Sequence, residues 1–188
     1  MIAAPSGTPR LAAGIYALSV AALFGVSALY HRITWASAAA RRWMRRLDHS
    51  AIFVLIAGSY TPFALLVLDG ALATVILIVV WAGALGGILL KLVWIDSPKL
   101  LTAIVYVALG WVAVAAFPDL IDELGVTGTA LVVAGGLLYT AGALVYAFRR
   151  PDPVPTVFGY HEVFHALVIA AAALQYAVVA FYVLPGAG

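Results

Sequence analysis

The chain has four histidines, and each stands at the end of an apolar run. His31 closes one run, His49 opens the next, and His161 and His165 open the last. Asp48 directly precedes His49, and Ser27 lies four residues before His31. Ionisable side chains at the ends of membrane-length segments are unfavourable to maintain and mark functional sites. Imidazoles beside a carboxylate point to metal chemistry. Three neutral imidazoles and a water form the tetrahedral donor set of catalytic zinc centres, and a nearby carboxylate can orient that water or take its proton. His161 and His165 are four apart, as are Ser27 and His31, so each pair shares one face of a helix. The chain has no cysteine, which excludes thiolate ligands, disulfides and cysteine nucleophiles. Any metal must be held by nitrogen and oxygen.

These residues can act together only if the elements carrying them end on one side of a bilayer. Apolar residues make up 65% of the 188-residue chain and charged residues 10%, against roughly 25% charged in soluble domains. Mean hydropathy is +1.11. Such a chain cannot cover its surface with charge, and it reads as an integral protein of the cell membrane. A helix needs about 20 apolar residues to cross the hydrocarbon core. The pattern predicts an all-α, polytopic transmembrane helix bundle, one domain over residues 1–188. Its six expected spans lie at about 11–30, 51–68, 71–90, 100–117, 128–148 and 161–184. Turn-like breaks separate them at Asp69-Gly70, Asp96-Ser97-Pro98, Pro118-Asp119 and Pro151-Asp152-Pro153. Thr61-Pro62 should kink the second span without ending it. Gly83 and Gly87 have the spacing that lets two membrane helices approach closely.

The basic residues set the orientation. Arg32, Arg41, Arg42, Arg45 and Arg46 lie between the first two spans, Lys91 and Lys99 between the third and fourth, and Arg149 and Arg150 between the fifth and sixth. The alternate connections hold Asp69, or Asp119, Asp122 and Glu123, and no Lys or Arg. Only Arg10 falls on the other side. The positive-inside rule makes the basic face cytoplasmic, and His31, Asp48, His161 and His165 all fall at that face. A competing reading makes the first run a secretory signal peptide, but its stretch of about 20 apolar residues exceeds the usual 7–15.

At these residues the chain resembles a known family. Ser27-Ala-Leu-Tyr-His31, Arg46-Leu-Asp48-His49, Gly58-Ser-Tyr-Thr-Pro62-Phe63 and His161-Glu-Val-Phe-His165 are similar in order and spacing to the motifs of the hemolysin III family. That family belongs with the progestin and adipoQ receptors, which include the adiponectin receptors. The resemblance runs from about Tyr16 to Tyr182. It implies a membrane zinc site held by His31, His161 and His165, with Asp48 acting through the zinc-bound water and Ser27 close by. It also implies a likeness to ceramidases, which hydrolyse lipid amides. The family pattern has seven spans with a cytoplasmic N-terminus; six are expected here, and the missing one is the first.

Three readings follow. The leading one is a zinc-dependent hydrolase of a lipid-like amide or ester, with Asp48 as base. The second is a receptor or regulator in which zinc is structural. The third is a pore-forming cytolysin, against which the scarcity of polar residues along the spans weighs. His161-Glu162-Val163-Phe164-His165 also fits H-E-x-x-H, the metalloprotease helix with Glu as base, but an intramembrane protease would leave Ser27, His31 and Asp48 without a role. His49 points about 100° away from Asp48 on a helix and is expected beside the site, not in it. Gln175 is expected to bridge helices, and Tyr60, Thr61, Tyr106, Tyr139 and Tyr176 to be candidate cavity-lining residues. The expected partners are membrane lipids and a lipid-like substrate or ligand, with no nucleic acid.

Overall fold

The computed structural model describes residues 7–187, and they are helical almost throughout. Among the described residues the only β pairing is an isolated bridge between Val154 and Phe158. The chain forms two compact units, the first ending at Ser97 and the second starting at Pro98.

The first unit is three helices: α1 (Thr8–Arg32), α2 (Ala38–Leu66) and α3 (Gly70–Val93). Helix α2 packs against both of the others, and small residues permit the approach. Gly58 of α2 lies against the Ser19 side chain of α1, and Gly87 of α3 takes the fully buried Phe53 ring of α2 where a Cβ would otherwise stand. The Ser19 hydroxyl donates to the Tyr16 carbonyl at 2.7 Å, so that polar contact is satisfied locally. Pro62 lies inside α2, as expected. The Thr61 hydroxyl beside it donates to the Ala57 carbonyl (3.0 Å) and accepts from the Trp81 indole of α3 (3.2 Å), tying the kink region to its neighbour.

Most of the Arg-rich segment between the first two expected spans is helical. Helix α2 starts at Ala38, where Ser37 caps it by accepting the Ala40 N–H at 3.2 Å. Ala and Arg are strong helix formers; the charges of residues 41–46 keep that stretch out of hydrocarbon without keeping it out of a helix. It then reaches the end of α3. Arg45 pairs with Asp96 (2.9 Å), and Arg46 donates to the Leu92 carbonyl (2.9 Å) while stacking on Trp43.

The second unit comprises α4 (Lys99–Gly110), a 3₁₀ segment (Trp111–Ala116), α5 (Phe117–Phe148) and α6 (Tyr160–Val178), which continues through a π-helical turn at Val179–Val183. Here the expected six spans are corrected. Among the described residues five helices are long and apolar enough to cross a membrane, and the predicted spans 100–117 and 128–148 belong to one of them, Lys99–Phe148. Pro118-Asp119 does not end a helix. Proline suits the first turn, where its missing N–H would have no partner, and here it opens α5. The stretch breaks at Gly125 instead, with φ 65° and ψ 176°, a conformation open to glycine alone. The Trp111 indole donates to Thr140 (2.9 Å) and the Thr129 hydroxyl to the Leu120 carbonyl (2.7 Å). A straight helix could not bring residues 29 apart together, so the stretch doubles back at Gly125. Helices α5 and α6 pack through Gly135 against Gln175, and through Gly142 against Phe164 and Leu167.

Candidate metal centre

In the first unit the chemistry lies where α1 ends and α2 passes it. Ser27 and His31 project from one face of α1, one turn apart. The Ser27 side chain hydrogen-bonds the Asp48 carboxylate of α2, and the His31 imidazole is close enough to interact with it electrostatically. His31 is exposed, with the Tyr30 ring edge-on to it at 4.7 Å, while Ser27 and Asp48 are half-buried. An acid thus sits between a hydroxyl and an imidazole, held there by α1–α2 packing. His49 is half-buried on the next position of α2.

In the second unit the chemistry lies on the first turns of α6. The His161 and His165 rings have centroids 4.4 Å apart, and each offers a ligand nitrogen within 4.8 Å of the other's. Zinc–imidazole bonds are about 2.0–2.1 Å, so a small side-chain rotation brings both nitrogens to one ion. Phe164 lies against both rings, at 5.9 and 5.5 Å, and Tyr146 approaches His161 at 6.2 Å. The donor set suits a borderline-soft cation such as Zn²⁺. Neither unit carries three imidazoles by itself.

The start of α6 is closed by carboxylates. Glu162 accepts the Gly159 N–H at 2.9 Å, and Asp152 accepts the Tyr160 N–H at 2.8 Å. Helix starts leave such N–H groups without partners, so Glu162 has a capping task.

One cluster has no signature in the sequence. The Lys99 ammonium donates to the Tyr160 hydroxyl (3.0 Å) and lies over the Tyr146 and Tyr160 rings at 4.5 and 4.8 Å. It ties the first residue of α4 to α5 and to the start of α6, next to His161. Residues 61 apart in sequence leave no local pattern to find. Gln175, expected to bridge helices, does pack against Gly135 of α5; Tyr176, grouped with the cavity-lining candidates, is 56% exposed.

Five apolar helices of crossing length make this a multi-pass integral membrane protein. Within that class, the Haemolysin-III related family model matches residues 1–176, and the chain belongs to that family. It is 34% identical over 173 residues to Hemolysin-3 of Bacillus cereus, covering 92% of this chain and 75% of that protein. With a Hemolysin-3 homolog of Bacillus subtilis (strain 168) it shares 36% identity over 168 residues, 89% of this chain and 75% of the relative. More distant is the human Monocyte to macrophage differentiation factor, at 27% over 170 residues, covering 89% and 68% of the two chains.

Proposed function

We propose that the protein is a zinc-dependent hydrolase of a lipid-like amide or ester, with His31, His161 and His165 as ligands at the cytoplasmic side of the membrane. Two observations, one in each unit, support this reading: the facing imidazoles of His161 and His165 on α6, and the acid–imidazole–hydroxyl group at the end of α1. Zinc bound by three imidazoles would act as a Lewis acid and bring the pKa of a coordinated water toward about 7. Asp48 is the general base: its carboxylate takes the proton of the attacking water and returns it to the leaving amine or alcohol. Ser27 orients Asp48 by its hydrogen bond. Glu162 is assigned no proton transfer in this reading; its carboxylate caps α6 by accepting the Gly159 N–H.

The hemolysin name borne by the Bacillus relatives would imply a pore. The exposed faces of α1 and α3 carry Leu18, Val75, Ile78, Leu85 and Leu89, a set suited to lipid and not to a water-filled lumen. The test is a screen of lipid amides and esters with purified protein, followed by two acid variants. Asp48→Asn should keep its zinc and lose about 10²–10⁴ in rate, while Glu162→Gln should stay near wild type. Loss only in Glu162→Gln would favour a protease-type centre. Full activity in both would contradict either acid as base.

A further inference from the structure

The connection between α1 and α2 borders a half-open cavity of which the proposed hydrolysis uses one residue, His31. This cavity of about 310 Å³ is lined by Tyr30, His31, Ile33, Thr34, Trp35 and Arg41. The Trp35 indole donates to the Tyr30 carbonyl at 3.2 Å, which pins the connection back onto the end of α1 and fixes this wall. Arg41 lies in the first turn of α2, a turn with no acidic residue. Farther along the helix, Arg45 is engaged with Asp96, and Arg46 with the Leu92 carbonyl and the Trp43 ring. Among the described residues no hydrogen bond or ion pair occupies the Arg41 guanidinium. The cavity thus combines an uncommitted guanidinium, a threonine hydroxyl and a fixed indole wall.

We propose that this cavity binds a phosphate group, carried by a glycerophospholipid headgroup or free in solution. The planar guanidinium fork matches two phosphate oxygens, and Thr34 supplies a further donor. The volume is at the lower end of the range for small-ligand pockets, about 300–1,000 Å³, so it takes a headgroup and not an acyl chain. The cavity stands where an apolar run ends and basic residues begin, the depth at which anionic headgroups of the cytoplasmic leaflet lie. The phosphate contacts need no metal: Arg41, Thr34 and Trp35 are outside the proposed ligand set, although His31, which also lines the cavity, is within it.

The test uses the full chain in phosphatidylcholine nanodiscs, with two radiolabelled probes, inorganic phosphate and dihexanoyl phosphatidic acid. Wild type should bind at least one of them saturably, at about one per chain, and the better probe distinguishes the free anion from the headgroup. Arg41→Ala should weaken that binding about tenfold or more, as expected when a charged hydrogen-bonding partner is lost. Arg149→Ala, which removes an exposed charge elsewhere, should leave it unchanged. Arg41 is exposed, so helix content by circular dichroism should match wild type in both variants. Binding should also persist in His161→Ala/His165→Ala; its loss there would put the phosphate on the metal and overturn the cavity assignment. Absence of saturable binding to wild type, or equal binding by Arg41→Ala, would overturn it as well.

Discussion

The two units bring their chemistry together by different means. In the unit ending at Ser97, Asp48 meets Ser27 and His31 only because α2 packs closely on α1, through contacts such as Gly58 on Ser19. In the unit starting at Pro98, His161 meets His165 because both are on one helix, four residues apart. The first arrangement depends on tertiary packing, while the second is set by helical pitch and only buttressed by Tyr146 and Phe164. Damage to α1–α2 packing should therefore disturb the Asp48–Ser27–His31 group while the His161–His165 pair keeps its spacing.

The sharpest way to break this contrast is to remove the helix-encoded pair. Wild type should purify with about one zinc per chain, and His161→Ala or His165→Ala should bring metal content by mass spectrometry close to background, because losing one of three ligands opens the site to water. Full occupancy in the double variant would end the metal reading. Next in size is Ser27→Ala. Deleting the hydrogen bond that orients Asp48 should reduce hydrolysis by about 10–100-fold with zinc content unchanged; loss of zinc in step with activity would mean that packing and metal are not separable.

A smaller effect is expected from Gly87→Ala. Alanine is favoured over glycine in a helix by up to about 1 kcal/mol, but the new methyl would overlap the buried Phe53 ring, and overpacking costs about 1–3 kcal/mol. The overlap should win and lower the apparent melting temperature, read as soluble protein recovered after heating. Gly86→Ala has no heavy atom within 4 Å of the new methyl and should be neutral or slightly stabilising. Equal stability of the two variants would show that α2 and α3 are not held by this contact. The smallest change is expected for Lys99→Met, which keeps the apolar stem but removes the ammonium from two aromatic rings, a loss of about 0.5–2 kcal/mol detectable by the same assay.

Much of the fold is legible in the amino-acid sequence alone. Long apolar runs can satisfy their backbone in a membrane only as helices or closed barrels, and α6 begins within one residue of its expected start. The site candidates stand out because ionisable residues bordering such runs are rare. The features that the sequence does not reveal depend on single residues or distant pairs. Gly125 is one of several glycines between 125 and 142, and nothing local marks it as the one with positive φ. The Arg-rich stretch resembles a loop if charge is equated with irregular structure, although Ser37 before three alanines is a helix start. The capping task of Glu162 is readable as an acid at the third helical position, but the H-E-x-x-H pattern offers the same residue a second meaning.

The enclosure of Lys99 has a consequence for how the protein meets its surroundings. An exposed pair such as Arg45 and Asp96 lasts only while dissolved ions do not screen it. The Lys99 clamp has no acidic member: its ammonium is held by the faces of two rings and one phenol oxygen. High salt should thus loosen the fastening between α2 and the end of α3 while the join between α4, α5 and α6 holds, so that the end of α6 bearing His161 keeps its footing when the other unit's surface charges have let go.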